Sequence, residues 1–245
     1  MSSMWNPWHG CRRKSEGCAN CYVHRNAGKY GGNANLVKKN QTFDLPVQRL
    51  RNGEYKLKSG ELVYTCFTSD FFTPEADAWR PEAWAMIRER SDCHFFWLTK
   101  RIERFFVGLP ADWQSAGEKG WQHVTICCTC ENQKRAAERL PVYLELPIFH
   151  KQLALEPLLG PLDLTAWLGP EIRSVAVGGE SGPEARPLDY AWVLAIREQC
   201  MAAGVAFHFR QTGARLIKDG RLYKIRRELQ ASQARKACID WEPGR

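Results

Sequence analysis

Six short apolar runs, each closed by a polar cluster, constrain the fold of this chain more than any other feature of its sequence. The runs are five to eight residues long and rich in β-branched or aromatic residues, which is typical of buried strands. Segments with helical spacing follow several of them, at 81–90, 133–140 and 189–203. Buried strands that alternate with helices indicate a parallel α/β sheet covered on both faces. The runs occupy residues 62–67, 94–98, 123–128, 148–155, 172–177 and 205–209.

The polar residues that close the runs are the first candidates for a functional site. Barrel and open α/β folds place their chemistry at the carboxyl ends of parallel strands, so we expect these residues to converge on one site. A polar pair after a strand is also a common helix cap or turn, and capping accounts for part of each cluster. The candidates are Ser69, Lys100, Glu131, Glu156, Glu180 and Gln211.

A loop near the amino terminus carries three cysteines, Cys11, Cys18 and Cys21, with the spacing C-x6-C-x2-C. Thiolates are soft ligands that select zinc or an iron–sulfur cluster. Cationic neighbours lower the pKa of a thiol and so favour the form that binds metal. Three such neighbours follow Cys11 directly: Arg12, Arg13 and Lys14. The loop therefore has the composition of a metal site.

The spacing alone leaves three interpretations of this loop open. Three thiolates on a four-iron cluster leave one iron free for a substrate or cosubstrate, which is a catalytic arrangement. Zinc would need a fourth ligand, and His24 or His9 lies close by in the sequence. The third interpretation is three unrelated buried thiols.

Length and cysteine usage bound the class of protein. A chain of 245 residues fits one barrel-sized domain or two small ones. Its start carries no apolar signal segment, so we expect the ten cysteines to be reduced and the protein cytosolic. No apolar run approaches the length that crosses a bilayer. Of the other cysteines, we expect Cys66, Cys93, Cys200 and Cys238 to pack as small hydrophobic residues, while one of Cys127, Cys128 and Cys130 could lie beside Glu131.

Positive charge is concentrated near the carboxyl end of the chain. The whole chain has a formal charge of +8, and residues 210–236 alone contain nine Lys or Arg against two acidic residues. This density is typical of a surface that binds a polyanion, most often nucleic acid, although a solvated helical face has the same composition. Residues 225–236 are predicted to be helical, with four cations at the surface: Arg226, Arg227, Arg235 and Lys236.

Five stretches of the sequence together carry a specific resemblance that spans nearly the whole chain. They are the cysteine loop with its Trp5-Asn6-Pro7 start, 67–72 (FTSDFF), 98–101 (LTKR), 156–163 (EPLLGPLD) and 177–186 (VGGESGPEAR). The chain resembles an uncharacterised family of phage and bacterial three-cysteine-motif proteins. That family is similar to the radical S-adenosylmethionine (SAM) superfamily, and most to spore photoproduct lyase, in which a tyrosine also follows the third cysteine, as Tyr22 does here.

Two features depart from the superfamily pattern. The common radical SAM spacing is C-x3-C-x2-C, whereas the first interval here is six residues. The superfamily's Gly-Gly-Glu motif usually follows the second strand, whereas Gly178-Gly179-Glu180 comes late and Ser69-Asp70 holds the earlier position. The longer loop keeps a zinc or purely structural site open.

The resemblance implies a cofactor site and roles for individual residues. Cys11, Cys18 and Cys21 would ligate a [4Fe-4S] cluster, and its open iron would chelate the amino and carboxylate groups of SAM. Ser69 and Asp70 would accept hydrogen bonds from the amino group, and Lys100 would meet the carboxylate. Gly178 and Gly179 would let backbone approach the adenosyl part, with Glu180 beside them. The candidates for catalysis are Glu131, Glu156 and Gln211.

The resemblance also implies a fold and a function. The fold would be a partial (β/α) TIM-like barrel of about six parallel strands over residues 1–213, including the cysteine loop. Residues 214–245 would form a basic extension packed on the same domain. An external electron donor would reduce the cluster, and SAM cleavage would give a 5′-deoxyadenosyl radical, shielded by aromatic residues such as Trp97 and Phe209.

The leading hypothesis is a radical SAM enzyme that modifies or repairs nucleic acid or a nucleotide. One rival is a zinc-stabilised nucleic-acid-binding module without catalysis. The other is a radical SAM enzyme that acts on a peptide or small metabolite, in which case the basic segment only solubilises the protein.

Overall fold

A computed structural model describes residues 2–114 and 119–244 of the chain. The described residues form a mixed α/β fold with five α-helices: α1 Tyr22–Lys29, α2 Arg80–Glu89, α3 Gln133–Glu145, α4 Tyr190–Ala202 and α5 Gln230–Lys236. Their twelve strands are β1 Ser2–Trp5, β2 Trp8–His9, β3 Lys38–Lys39, β4 Leu62–Thr65, β5 His94–Thr99, β6 Val124–Thr129, β7 His150–Leu155, β8 Ile172–Gly178, β9 Leu188–Asp189, β10 Ala206–Gln211, β11 Arg215–Lys218 and β12 Arg221–Lys224.

The main sheet contains seven parallel strands in the order β1-β4-β5-β6-β7-β8-β10. All six apolar runs of the sequence form strands of this sheet, and β1 adds a seventh at one edge. The prediction of a parallel α/β sheet is therefore confirmed. Two small sheets accompany it, one of order β12-β11-β9 and one of β2 and β3.

The burial of the strands explains why their sequences are so apolar. Every residue of β6 is buried, as expected for a strand covered on both faces. In β5 burial alternates instead, with Phe95, Trp97 and Thr99 inside. α2 and α4 begin and end within one residue of their predicted bounds, whereas α3 extends five residues past the predicted 133–140. α2 carries Pro81 in its first turn, and the Asp189 side chain caps α4 by accepting a hydrogen bond from the Ala191 N–H.

The described residues divide into two compact units, and the first comprises Met1–Arg13, Val23–Cys127 and Leu146–His150. Its core is an aromatic cluster. The Phe71 ring stacks on the Trp97 ring with their centroids 4.4 Å apart, and the Trp84 ring packs edge-on against Trp97 with a centroid distance of 5.6 Å. All three side chains are essentially fully buried. Trp97, expected to shield a radical, therefore packs as a core residue of this unit.

The second unit comprises Lys14–Tyr22, Cys128–Glu145 and Lys151–Arg245. Its basic segment starts as a hairpin of β11 and β12, and β11 also pairs in parallel with β9. The predicted helix over 225–236 is shorter than expected, since a 3-10 turn at Arg227–Leu229 precedes α5. The four cations predicted at the surface are exposed: Arg226, Arg227, Arg235 and Lys236.

None of the helices in residues 2–114 and 119–244 combines the length and the apolar character needed to cross a bilayer.

Phe105 and Phe106 are neighbours in the first unit with opposite environments. Phe105 is fully buried, with its ring 5.6 Å from that of Trp113, whereas Phe106 is 63% exposed. Phe105→Ala should lower the free energy of unfolding by about 3–5 kcal/mol, because it leaves a cavity in the core. Phe106→Ala should cost less than about 1 kcal/mol. Urea denaturation of both variants checks this, and equal losses would contradict the described packing.

Candidate active site

In the first unit, Asp70 is a buried hub between the ends of two strands. It follows β4, and its Oδ1 accepts hydrogen bonds from the Thr99 hydroxyl (2.8 Å) and the Phe72 N–H (3.0 Å). Its Oδ2 accepts from the Lys100 N–H (3.0 Å) and from Arg101 (3.3 Å). A carboxylate has about four acceptor positions, so protein donors occupy all of them here. Asp70 therefore fixes the residues that follow β5.

Arg101 connects this hub to the first cysteine of the loop. Its Nη1 lies 3.6 Å from the Cys11 Sγ, and its Nη2 donates to the Arg12 carbonyl at 2.6 Å. Burial acts to lower the pKa of the Arg101 guanidinium, but Asp70 and Cys11 outweigh burial and raise it. A permanently charged group at this distance stabilises the thiolate form of Cys11.

Two further predicted residues lie beside this hub. The Ser69 hydroxyl donates to the Gly10 carbonyl, next to Cys11 in the chain. Lys100 is half-buried, and its ammonium makes no hydrogen bond or ion pair with the residues that the structure describes. This ammonium is therefore available to a ligand.

The other cysteines of the first unit are not part of a ligand set. Cys66 directly follows β4 and has a left-handed φ of 59°. Burial raises the pKa of its thiol well above the usual range, with Asp70 and Cys11 adding to the effect. Cys66, Cys93 and Cys127 are buried, as Cys128, Cys130 and Cys200 are in the second unit. Cys238 is exposed, so the expectation that it packs as a small hydrophobic residue is wrong. It follows α5, and its Sγ donates to the Arg235 carbonyl at 3.5 Å.

In the second unit, Glu131 anchors the cysteine loop through hydrogen bonds to its carboxylate. It follows β6, is fully buried, and pairs with the equally buried Arg139 at 2.8 Å. Its other oxygen accepts from the Ser15 hydroxyl and, at 3.4 Å, from the Gly17 N–H. A side chain at Gly17 would clash with this carboxylate, since its Cβ would lie 3.0 Å from the Glu131 Oε1. The loop is therefore built around a buried acid.

Glu16 fastens the same loop to α3. Its carboxylate accepts hydrogen bonds from Asn132 (2.8 Å) and from two nitrogens of Arg135 (2.9 and 2.7 Å). Hydrogen bonds from its own backbone N–H, Asn132 and Arg135 lower the pKa of Glu16 to about 2. Glu16 is thus ionised at any physiological pH.

Glu180 holds the loop from the end of β8. Its Oε2 accepts from the Asn20 side chain at 2.9 Å, and Arg186 donates to both carboxylate oxygens. Arg186 also donates to the Glu16 carbonyl at 3.0 Å. Burial acts to raise the pKa of Glu180, but Arg186 and Asn20 lower it below its usual value.

Three predicted residues meet at the ends of β7, β8 and β10. A Cβ at Gly178 would lie 2.9 Å from the Glu156 carboxyl carbon and 3.0 Å from the Gln211 Cγ. The absence of a side chain at Gly178 therefore makes room for Glu156 and Gln211. The backbone at 212–213 covers Gly179 in the same way, since a Cβ there would lie 2.5 Å from the Thr212 carbonyl oxygen.

Arg227, predicted as a nucleic-acid contact, reaches this group as well. Its Nη1 donates to the Gln211 Oε1 at 3.0 Å and to the Gln230 Oε1 at 3.2 Å. Burial, with the Cys21 charge added and Arg227 opposing, raises the pKa of Tyr22 to about 12. The basic segment thus comes within electrostatic range of Tyr22, which follows the third cysteine in the chain.

Cysteine sulfurs of the loop accept hydrogen bonds, each within its own unit. Arg101 faces the Cys11 Sγ, and the Lys14 N–H donates to the Cys18 Sγ at 3.5 Å. Cys11, Cys18 and Cys21 are each partly exposed. Across residues 2–114 and 119–244, no three His, Cys, Asp or Glu side chains form a group that could hold a metal ion as they stand.

Sequence reasoning missed the arginines that organise these sites. Arg101 directly follows the predicted Lys100, and Arg186 ends the stretch 177–186. Their positions within these motifs were the sequence signal that could have identified them. Arg139 gave no such signal, because a cation inside a helical pattern is usually solvated. Its partner is set by the fold, eight residues away on the preceding strand end.

Loss of the Glu131 carboxylate should release the cysteine loop. Glu131→Ala leaves Arg139 buried and unpaired, which costs about 3–5 kcal/mol of unfolding free energy. It also removes the acceptor of Ser15, so Cys18 should react faster with a thiol reagent. Glu138→Ala is the matched control, since Glu138 is half-exposed and pairs with Arg135 at the surface. Thiol labelling and urea denaturation test this, and equal behaviour of the two variants would refute the anchoring role.

The comparisons with known proteins place the chain in one family. Residues 1–237 match a family described as a protein of unknown function, DUF5131. No curated protein and no solved structure matches the chain. Since the match covers nearly the whole sequence, the chain belongs to the DUF5131 family.

Proposed function

We propose that this protein is a radical SAM iron–sulfur enzyme that acts on nucleic acid or a nucleotide. The observation that carries the proposal is the anchoring of the cysteine loop by Glu131 and Glu180. Three unrelated thiols would need no such support. A loop that must present cysteines to a metal does need it, because ligand positions have to be held within narrow limits.

The environment of the sulfurs supports a cluster. The Arg101 guanidinium lies beside the Cys11 Sγ, and the Lys14 N–H donates a hydrogen bond to the Cys18 Sγ. Cys11, Cys18 and Cys21 would ligate the cluster, which, once reduced by an external donor, supplies a 5′-deoxyadenosyl radical from SAM. The protein's own part is to bind, orient and shield these groups.

Lys100 is the residue that we assign to the SAM carboxylate. Its backbone N–H is fixed by Asp70, whereas its ammonium has no partner among the described residues. We assign Asp70 and Ser69 to positioning, since Asp70 orders Lys100 and Arg101 and Ser69 binds the Gly10 carbonyl.

The seven-stranded parallel sheet supports a partial (β/α) barrel as the fold of this enzyme. In such a fold the polar strand ends contact the ligand. Glu156 and Gln211 are the candidates for the substrate, and Glu180 and Glu131 position the loop. The exposed cations Arg226, Arg227, Arg235 and Lys236 support nucleic acid over a peptide or small metabolite.

A zinc site is the second candidate, and one observation favours it. His24 contacts the Cys11 backbone, and burial, with Arg13 adding to the effect, lowers the pKa of its imidazole. A neutral imidazole and a thiolate are both zinc ligands, and His24 with Cys11, Cys18 and Cys21 would give the four ligands of a Cys3His site. In that case the protein is a nucleic-acid-binding module without catalysis.

Cluster loading separates the two candidates. Anaerobically purified protein should be brown and contain iron, and it should release 5′-deoxyadenosine when given SAM and a strong reductant. Cys11→Ala, Cys18→Ala and Cys21→Ala should each lose the iron and this activity. Cys238→Ala is the control, because Cys238 is exposed and lies outside the loop. Colourless protein with bound zinc, or full iron in Cys18→Ala, would overturn the proposal.

Lys100→Met should weaken SAM binding without loss of iron. A hydrogen bond to a charged group contributes about 1.5–3 kcal/mol, so the dissociation constant for SAM should rise roughly 10-fold or more. Lys134→Met removes an exposed cation from α3 and should bind SAM normally. Calorimetric titration of both iron-loaded variants gives the answer. Unchanged SAM affinity in Lys100→Met would exclude the assigned role.

A further inference from the structure

The hairpin of β11 and β12 carries an unusual arrangement of charge. A two-residue turn, Asp219-Gly220, with φ of 52° and 73°, joins the two strands and fixes their register. That register sets Arg215 directly opposite Lys224 and Lys218 directly opposite Arg221. Like charges that face each other across two strands destabilise the pair.

Nothing in the described residues neutralises these four cations. None of them forms an ion pair with an acidic residue in that part of the chain. Lys218 and Arg221 lie over the rings of Tyr190 and Tyr223, which does not cancel their charge. All four residues of β12 are exposed, including Leu222 and Tyr223.

Protection of a sheet edge does not explain the arrangement. β12 is an edge strand, and lysines on edge strands prevent pairing with other chains. That purpose needs charge on β12 alone. Here the inner strand β11 also carries cations, Arg215 and Lys218, directly opposite those of β12. These cations add repulsion but do not protect the edge further.

We infer that this hairpin binds the phosphate backbone of duplex nucleic acid. The inference deepens the proposed function, because it names the surface that holds the substrate. A duplex carries a dense row of phosphates, whose binding to cations releases condensed counterions, and its major groove admits a two-stranded ribbon. Residues three apart on a strand point to opposite faces, so the Arg215–Lys224 pair lies on one face of the hairpin and the Lys218–Arg221 pair on the other. Phosphates on the two sides of the groove would each meet one pair and remove the repulsion that the free hairpin carries.

The position of the hairpin connects it to the candidate active site. Ile225, just after β12, donates its N–H to the Ala214 carbonyl at 2.9 Å, which closes the base of the hairpin. Arg227 follows and donates to Gln211 at the end of β10. A duplex on the hairpin therefore lies next to the polar ends of β8 and β10.

The test is the salt dependence of binding to a fluorescently labelled duplex DNA, measured by anisotropy on the full chain. The variant is Lys218→Gln with Arg221→Gln and Lys224→Gln; Arg215 is kept because it donates to the Pro183 carbonyl. The matched control removes three exposed cations elsewhere, Arg51→Gln with Lys56→Gln and Lys58→Gln. Both variants change the net charge equally.

Each phosphate contact contributes about −0.9 to the slope of log affinity against log salt for duplex DNA. The hairpin variant should therefore flatten the slope by about 2.7, so that a fourfold rise in salt costs about 40-fold less affinity than in wild type. The control variant should keep the wild-type slope. The melting temperature of the hairpin variant should equal or exceed that of wild type, because repulsion is relieved. If the triple variant fails to fold, each single Gln variant should flatten the slope by about 0.9.

Three results would overturn the inference: no duplex binding by wild type, equal slopes for the hairpin and control variants, or equally hairpin-dependent binding to phosphatidylserine vesicles. A slope that depends on Arg226 and Arg227 but not on the hairpin would also reject it while retaining nucleic acid as substrate. Iron content and 5′-deoxyadenosine release do not depend on the hairpin. Loss of iron content or of 5′-deoxyadenosine release would therefore count against the proposed enzyme and not against the hairpin as a binding surface.

Discussion

The ion pair between Glu131 and Arg139 is the interaction on which the second unit's loop depends. Both side chains are almost fully buried, and a buried pair is favourable only when further hydrogen bonds satisfy its remaining atoms. Ser15 and Gly17 supply such hydrogen bonds to Glu131, and the Thr129 carbonyl accepts from Arg139 at 2.5 Å. The loop is thus a structural requirement of the pair, and the pair in turn fixes the loop. Any rearrangement of the loop would remove the hydrogen bonds that Ser15 and Gly17 donate to Glu131.

The same principle organises the first unit with other residues. Asp70 collects four donors, and one of them, Arg101, extends to Cys11. In both units an acidic residue beyond a strand end pairs with an arginine, Asp70 with Arg101 and Glu131 with Arg139. Arg186, bound to Glu180 and the Glu16 carbonyl, is the third case. Acid–arginine pairs at strand ends are therefore the common device of this fold.

The sequence was sufficient to predict the sheet but not the partners of its polar residues. Apolar runs with β-branched residues predicted all six strands that they cover, because burial on both faces leaves a clear pattern. Ser69, Asp70 and Glu131 were found because they directly follow those strands. The roles of Asp70 and Glu180 depend on Thr99, Arg101, Asn20 and Arg186, whose contacts arise from folding and leave no spacing signal. The hairpin was missed because Arg215–Lys218 and Arg221–Lys224 are too short and too charged to resemble buried strands.

The anchors of the cysteine loop lie far along the chain, and this orders events during synthesis. Ser15 and Glu131 are 116 residues apart, Asn20 and Glu180 are 160 apart, and Arg186 reaches the Glu16 carbonyl across 170. The ribosome makes the loop first and its last anchor only when residue 186 has emerged. Until then the three cysteines are carried on a nascent chain that lacks these anchors. The loop therefore acquires its anchored geometry late, after most of the chain has been synthesised.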